Sequence, residues 1–254
     1  MAAAPLTPTS PSPDTPPLSQ GARIVNTFIA PSNTFTDLRR SAAWWAPFLL
    51  MIVVSVLFVR VVDKKVTFRR VMENQIQLSP KQADQMEKMP PEQRERVMTQ
   101  QTAFWRIFSY CYPVVILIWN LIIAAILFGT FKLVMSADDL KFGASYAVVM
   151  YASLPLMIKS LLAIVFLLAG INTESFTFQN PVASNPGYFI NAAESRVLYS
   201  VLTSLDIFMI WTLVLTGIGF ACVSRLRRGK ALGVVFGWYA LFVMLGAAVG
   251  AAFS

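Results

Sequence analysis

The stretch that decides the fold is SYAVVMYASLPLMIKSLLAIVFLLAG, residues 145–170. It exceeds the roughly 20 mostly apolar residues that a membrane-spanning α-helix needs. Its single charged residue is Lys159, and Pro155 lies one turn earlier. An unpaired charge inside a bilayer is unfavourable. The stretch therefore predicts a spanning helix whose lysine needs a partner.

Composition extends this prediction to the whole chain. The 254 residues are 56% hydrophobic and 13% charged, about half the charged share of a typical soluble domain. Mean hydropathy is +0.59. The short alternating segments of a β-barrel are absent. We predict an all-α membrane protein, a bundle of five transmembrane helices at about 42–62, 111–134, 145–170, 200–223 and 231–253.

The N-terminal part divides into a tail and an approach to the membrane. Residues 1–21 are rich in proline and serine and nearly free of large apolar side chains, which predicts a disordered tail. Residues 22–254 are predicted to form the folded domain. Within it, residues 22–41 contain short apolar clusters ended by two arginines, which indicates short helices lying on the lipid headgroups.

Two loops are long enough to have structure of their own. Residues 63–110 form a polar extramembrane loop between spans one and two, predicted to be helical. Ser79 before Pro80 and Pro91 near a second start are typical of helix N-termini. Residues 171–199 contain two Asn-Pro steps, which favour turns. This loop is predicted to be irregular and to fold back on the mouth of the bundle.

No feature of the sequence indicates an enzyme. The chain has no histidine, and its cysteines are Cys111 and Cys222, so the commonest general base and metal ligand is missing. We predict no catalytic residue, no cofactor, no metal site and no nucleic-acid partner. Asp138 and Asp139 could bind a cation, but their position before an apolar run favours a helix N-cap.

Three polar residues inside the predicted spans form the candidate site. Counting along each helix places Asn120, Lys159 and Asp206 in the same half of the bilayer. Our hypothesis is an ion pair between Lys159 and Asp206, with Asn120 nearby. The pair could serve helix packing alone. Alternatively, it could belong to a polar pocket for an ion, a proton or a lipid headgroup, as in a small transporter or channel.

Proline and glycine positions predict how the helices are shaped and packed. Pro155 removes a helical hydrogen bond and is predicted to kink the third span. In the fifth span, small residues four apart allow helices to approach closely. These residues, predicted to pack inside the bundle or alternatively at a dimer contact, are Gly233, Gly237, Gly246 and Gly250.

Lysine and arginine counts in the loops predict the orientation. Loop four, SRLRRGK at residues 224–230, has four basic residues, whereas loop three has Arg196 alone. The positive-inside rule therefore places loop four and the N-terminus in the cytoplasm. Arg39 and Arg40 agree. Four basic residues at the start of loop one favour the opposite orientation: Lys64, Lys65, Arg69 and Arg70.

Four stretches in order resemble the Yip domain family of Ypt/Rab-interacting membrane proteins, most closely its bacterial members. They are FIAPSNTFTDLRRSAAWWAPFLL at 28–50, YASLPLMIKSLL at 151–162, NPVASNPGYF at 180–189 and SLDIFMIWTLVLTGIGF at 204–220. The resemblance covers about residues 22–253.

This resemblance implies an integral membrane protein without known catalysis. Eukaryotic relatives act in vesicle trafficking and membrane shaping, through Rab-type partners and one another. The long charged loop one and the absence of a docking motif near the N-terminus argue against Rab binding here. We expect a structural or interaction role in a bacterial inner membrane. The expected partners are the lipid bilayer and other membrane proteins or a second copy.

Overall fold

A computed structural model describes residues 16–171, 173–190 and 195–252. The predicted fold class is confirmed: within this part of the chain the secondary structure is helical, with no strand. Five described helices are long and apolar enough to cross a membrane: Trp45–Lys65, Tyr112–Val134, Phe142–Leu168, Ile207–Ser224 and Arg228–Gly250. Most of the predicted tail lies outside the described residues.

The α-helices follow one another with short connections. In chain order they are α1 (Gln20–Ile29), α2 (Pro31–Asp37), α3 (Trp45–Lys65), α4 (Phe68–Gln77), α5 (Pro80–Glu87), α6 (Pro91–Tyr110), α7 (Tyr112–Gly129), α8 (Phe142–Ala152), α9 (Leu154–Leu168), α10 (Arg196–Ser204), α11 (Ile207–Ser224) and α12 (Arg228–Ala252). A π-helical turn at Thr130–Val134 follows α7, and a 3-10 turn occupies Pro186–Phe189.

These helices contribute to two compact units. The first consists of Met1–Met51, Val115–Pro155 and Trp211–Tyr239. The second consists of Ile52–Val114, Leu156–Ile210 and Ala240–Ser254. Each unit is therefore assembled from three separate pieces of the chain.

In the first unit, α1 and α2 form a helical hairpin. Ser19 caps α1, since its Oγ accepts a hydrogen bond from Ala22 N at 3.2 Å. Helix α1 thus begins at Gln20, two residues inside the segment predicted to be tail. Phe35 and Leu38 of the hairpin region are fully buried. One face of the hairpin therefore packs against protein, and the location of residues 22–41 on the lipid headgroups stays a prediction.

In the second unit, loop one is helical as predicted and comprises α4, α5 and most of α6. Ser79 precedes α5 with Pro80 at its first position, and Pro91 begins α6. Arg69 connects α4 to α6 through Glu95, with its two guanidinium contacts to that carboxylate at 2.7 and 2.8 Å. Exposed pairs of this kind contribute at most about 1 kcal/mol.

An apolar cluster forms the core beneath these helices. It contains Val62 and Val66 from the end of the first span, Val71 from α4, Leu167 from α9 and Phe176 from loop three. Loop three is also held by α4, because Asn74 Nδ2 donates to the carbonyl oxygens of Glu174 and Phe176 at 2.8 and 2.9 Å. Loop three is therefore part of the packed structure of this unit.

The third span is interrupted near Pro155. Helix α8 ends at Ala152 and α9 begins at Leu154, so Ser153 lies between them. Ser153 Oγ donates to Val149 O at 2.8 Å. Pro155 occupies the first turn of α9, where a missing N–H costs little. The interruption thus falls two residues before the proline.

The fourth span starts later than predicted. A single helix was expected over 200–223, but α10 ends at Ser204 and α11 begins at Ile207. Asp206 lies between them and accepts hydrogen bonds from the backbone N–H groups of Phe208 and Met209 in the first turn of α11. Aspartate at this position competes with the helix backbone and favours a helix start. Asp206 is therefore at the end of the span and not a turn or more inside it.

Four glycines of α12 that were predicted to pack against another helix have open space beside them among the described residues. A Cβ atom built at Gly233, Gly237, Gly246 or Gly250 would meet no atom within 4 Å. Only 11% of the α12 window is buried, against 61% for α11. Close approach occurs instead at Gly217 of α11, where a Cβ would lie 3.1 Å from Leu232 Cα.

Candidate functional site

The candidate site is built around an ion pair in the second unit. Lys159 Nζ of α9 donates to Asp206 Oδ2 at 2.7 Å. The Asp206 side chain is 7% exposed and that of Lys159 17% exposed. The structure therefore brings together the two charged residues of the predicted cluster, and each neutralises the other where water is scarce.

Asp206 has a second task at the start of α11. Its Oδ1 accepts from Phe208 N at 2.9 Å and from Met209 N at 3.2 Å. These are N–H groups that have no partner within the helix. One carboxylate oxygen thus caps the helix while the other faces the lysine. The carboxylate of Asp206 therefore defines where α11 begins and also holds Lys159.

Loop three completes the surroundings of the carboxylate. Ser184 Oγ donates to Asp206 Oδ2, and Asn185 Nδ2 approaches the same oxygen at 3.5 Å. The backbone joins as well, since Ile207 N donates to Ser184 O at 3.1 Å. Ser184 and Asn185 are both buried. The NPVASNPGYF segment of the sequence therefore wraps the ion pair.

The network continues outward from Asn185 to α10. Asn185 Nδ2 donates to Asn180 Oδ1 at 2.8 Å, and Asn180 Nδ2 donates to the Tyr199 hydroxyl at 2.8 Å. A longer contact of 3.4 Å joins Asn180 Nδ2 to Thr203 Oγ1. Burial raises the pKa of Tyr199, with the bonds to Asn180 and Thr203 acting in the opposite direction. Its phenol is therefore neutral at physiological pH.

Gly187 explains why the 3-10 turn of loop three can lie against α10. A Cβ atom at this position would come within 2.7 Å of Thr203 N and 3.0 Å of Thr203 Cα. These are backbone atoms that cannot move aside independently. Any larger residue at position 187 would push the loop away from α10 and disturb the bonds of Asn180.

The chemistry available to this cluster is that of a closed polar network. Buried polar side-chain atoms without a partner do occur among the described residues, at Arg23 Nη1, Thr102 Oγ1 and Thr212 Oγ1. None belongs to the network around Asp206. In the described part of the chain, no group of three or more cysteine or acidic side chains is arranged to hold a metal ion.

Asn120 is not among the hydrogen-bond partners described for Lys159 or Asp206. It belongs to the first unit, where its amide donates to Met150 Sδ at 3.3 Å. Pro155, Gly233 and Gly237 also belong to that unit, and Gly246 and Gly250 to the second. Of the three polar residues predicted to lie in the same half of the bilayer, the structure brings Lys159 and Asp206 into contact.

A second buried ion pair was missed by the sequence reasoning. Arg23 of α1 is 1% exposed and contacts Asp37 Oδ2 through Nε at 2.8 Å and Nη2 at 2.7 Å. The Arg23 carbonyl oxygen accepts from Thr27 Oγ1 and Thr34 Oγ1. In the sequence, this pair was indicated only by the spacing of Arg23 and Thr27, which are four residues apart and therefore share a face of the helix.

The acidic pair of loop two is also placed differently from the prediction. Lys141 occupies the N-cap position of α8, and its side chain makes no capping bond. Asp138 and Asp139 precede it and do not cap the helix. Asp139 Oδ2 instead lies 3.4 Å from Arg225 Nη1. The turn of loop two carries the aspartates away from the helix terminus.

A comparison with models of known protein families identifies the family of this chain. The model of the Yip1 domain family matches residues 25–250. The chain belongs to the Yip1 domain family. The match runs from α1 to α12 and includes both the loop-three segment and Asp206. Comparison with curated proteins gave no match, and comparison with solved structures gave none either.

Membership in the Yip1 domain family fits the helices described above. Together with the five candidate spans, it makes this chain an integral, multi-pass membrane protein in contact with the lipid bilayer. The Yip1 domain family is a membrane-protein family not known for enzymatic activity. The match also confirms the resemblance seen in the sequence.

Proposed function

We propose that this Yip1-domain protein is a non-enzymatic membrane component that acts by contact with the bilayer and with other membrane proteins. Its role would be structural, in organising a membrane and the proteins within it. We further propose a bacterial inner membrane as its location, with the N-terminus in the cytoplasm. The Lys159–Asp206 cluster would hold the second unit together and would not carry a substrate.

The observation that carries this proposal is the saturation of Asp206. Its carboxylate accepts from Lys159, from Ser184 and from two backbone N–H groups of α11, and it is 5% exposed. A transport site must release its partners during each cycle. Here release of Asp206 would also uncap α11 and free loop three. Such coupling favours a structural tie over an exchanging site.

A cavity of the second unit supports the same interpretation. This cavity measures about 770 Å³ and is lined mainly by loop-one helices. It reaches Tyr199 at the edge of the polar network, but neither Lys159 nor Asp206 is part of its lining. A solvated path to the pair is what the rival transporter function would require.

A flux measurement separates the two functions. Purified protein would be reconstituted into liposomes, and currents would be recorded on a solid-supported membrane after jumps in proton, sodium or potassium concentration. We expect the same currents as from liposomes containing the Lys159→Met/Asp206→Asn variant. A current that the wild-type chain produces and this variant loses would overturn the structural role of the pair.

The interaction role needs its own measurement. Native membranes would be treated with a short amine-reactive crosslinker, and the tagged chain would be analysed by denaturing gel and mass spectrometry. We expect discrete adducts containing either a second copy or a defined membrane protein. A chain that stays monomeric, while a known oligomer in the same membranes crosslinks, would contradict the proposal.

A further inference from the structure

The first unit contains a basic cavity that the proposed function does not use. It measures about 480 Å³, within the range of about 300–1,000 Å³ found for ligand pockets. Four cationic side chains and one carboxylate contribute to its lining, with two apolar residues behind them. The lining residues are Arg39, Arg40, Asp139, Lys141, Ala144, Val223 and Arg225.

Even with Arg40 left out of the count, the lining of this basic cavity holds three cationic side chains, Arg39, Lys141 and Arg225, against the single carboxylate of Asp139. Asp139 is paired with Arg225 at 3.4 Å, and both side chains are largely exposed, so the attraction is weak. Burial lowers the pKa of Arg39, and the charge of Arg225 lowers it further, while Asp139 only partly opposes these effects. The cations thus repel one another, and an anion in the cavity would relieve that repulsion.

The places of the lining residues relative to the spans indicate which kind of anion is available to the basic cavity. Arg39 and Arg40 shortly precede the first span, Lys141 directly precedes the third and Arg225 directly follows the fourth. In a chain that crosses the membrane at every span, these ends lie on the same side. Trp44 and Trp45 stand at the start of the first span, and tryptophan is enriched at the level of the lipid headgroups. The cavity therefore lies where phospholipid phosphates are concentrated.

We infer that this basic cavity is a binding site for the phosphate of an anionic phospholipid headgroup. Arginine guanidinium groups are suited to phosphate, because their planar N–H pairs match two of its oxygens. Ala144 and Val223 are buried apolar residues at the back of the cavity. The bound lipid would keep its acyl chains in the bilayer beside the first span.

The test measures lipid retention by the full chain. Purified protein in a neutral detergent would be mixed with phosphatidylglycerol or phosphatidylcholine, and bound lipid would be counted by native mass spectrometry. We expect retention of phosphatidylglycerol over phosphatidylcholine. The Arg39→Gln/Arg225→Gln variant should retain phosphatidylglycerol about thirtyfold less well, since it removes two cations and each cation near anionic lipid contributes about 1 kcal/mol.

A charge-matched control distinguishes a built site from general attraction. Arg227 and Lys230 are exposed in the same loop four but do not contribute to the lining of the cavity. The Arg227→Gln/Lys230→Gln variant should keep wild-type retention although it loses the same charge. Thermal unfolding in detergent alone would show that both variants are folded.

If the cavity variant is unfolded, the conservative variants Arg39→Lys and Arg225→Lys replace it. They should give an intermediate loss of retention, because the charge stays but the planar guanidinium group is lost.

Three outcomes would overturn the inference. Equal retention of the two lipids would remove the preference for an anionic headgroup. Equal loss in the control variant would show attraction to loop four in general. Displacement of the lipid by millimolar inorganic phosphate, with the same arginine dependence, would show a site for a free anion and not for a lipid.

Discussion

At the scale of single residues, Asp206 is the side chain with the most distinct tasks in the second unit. It neutralises Lys159 through one oxygen and caps α11 through the other. These tasks rest on different physical effects, namely charge neutralisation in a region of low dielectric constant and satisfaction of helix N–H groups. Substitutions that remove one effect and keep the other can therefore separate them.

The ion pair is expected to show strong coupling in a double-mutant cycle. Asp206→Asn keeps the cap but leaves Lys159 without its carboxylate, and should cost about 3–5 kcal/mol. Lys159→Met leaves a carboxylate that keeps its other donors, and should cost less, about 1.5–3 kcal/mol. The double variant should be close to Lys159→Met alone, as measured by unfolding in mixed detergent micelles.

The control for this cycle is an exposed lysine. Lys81→Met in α5 should change stability by no more than about 0.5 kcal/mol, since exposed substitutions have small effects. Additive losses from Lys159→Met and Asp206→Asn would contradict the pairing, because contact between the two residues predicts non-additivity.

The capping task predicts a difference between two substitutions at one position. Asp206→Ala removes the oxygen that accepts from Phe208 N and Met209 N, whereas asparagine keeps it. Alanine should therefore be less stable than asparagine by about 1 kcal/mol. Measured in the Lys159→Met background, the difference should persist, because the cap does not depend on the lysine. Its disappearance there would mean that charge alone explains Asp206.

At the scale of helices, the glycines of α11 and α12 differ in what lies beside them. Gly217 lies on α11 where Leu232 of α12 approaches closely, and a Cβ atom added to this glycine would lie 2.5 Å from Leu232 Cδ2. A Cβ atom added to any of the five glycines of α12 would have no atom within 4 Å among the described residues. Glycine spacing alone therefore does not mark the contact face. What marks it is the presence of a neighbouring backbone.

Alanine substitution should have opposite effects at these two kinds of glycine. Gly217→Ala should destabilise the first unit by about 1–3 kcal/mol, because the added methyl group would lie 2.5 Å from Leu232 Cδ2 and only 3.1 Å from Leu232 Cα. The matched control, Gly237→Ala in α12, should be neutral or stabilising by up to about 1 kcal/mol, since alanine is the better helix former. Unfolding in detergent measures both. A destabilising Gly237→Ala would instead indicate an unrecognised contact at α12.

At the scale of the whole molecule, charge distribution governs orientation in the membrane. Loop four has four basic residues and no acidic residue. In loop one, part of the basic charge is already engaged, as Arg69 pairs with Glu73 and Glu95 and Arg106 with Asp63. This difference supports the proposed orientation, with the N-terminus and loop four in the cytoplasm.

Cysteine labelling tests this orientation directly. In a Cys111→Ser/Cys222→Ala background, Glu87→Cys in α5 should react with a membrane-impermeant maleimide in intact spheroplasts. Arg227→Cys in loop four should react only after the membrane is permeabilised. Both positions are exposed, so both should label fully in detergent. The reverse pattern in spheroplasts would place the N-terminus outside.

The sequence by itself determined the class of protein and the number of spans, and it showed that Lys159 needs a partner. These follow from hydropathy and from the cost of an unpaired charge in lipid, which are properties of short stretches. It could not give the start of α11, the loop-three network or the Arg23–Asp37 pair. Those depend on which distant segments meet, and a helical face carries no mark of whether protein, lipid or water covers it.

The same reason explains the glycines and the basic cavity. Gly233 and Gly217 look alike in the sequence, but only the tertiary structure sets Leu232 against the second. Arg39, Lys141 and Arg225 are far apart in the chain and meet because three spans end at one place. Local hydropathy thus determined what could enter the membrane, and packing decided which polar groups became partners.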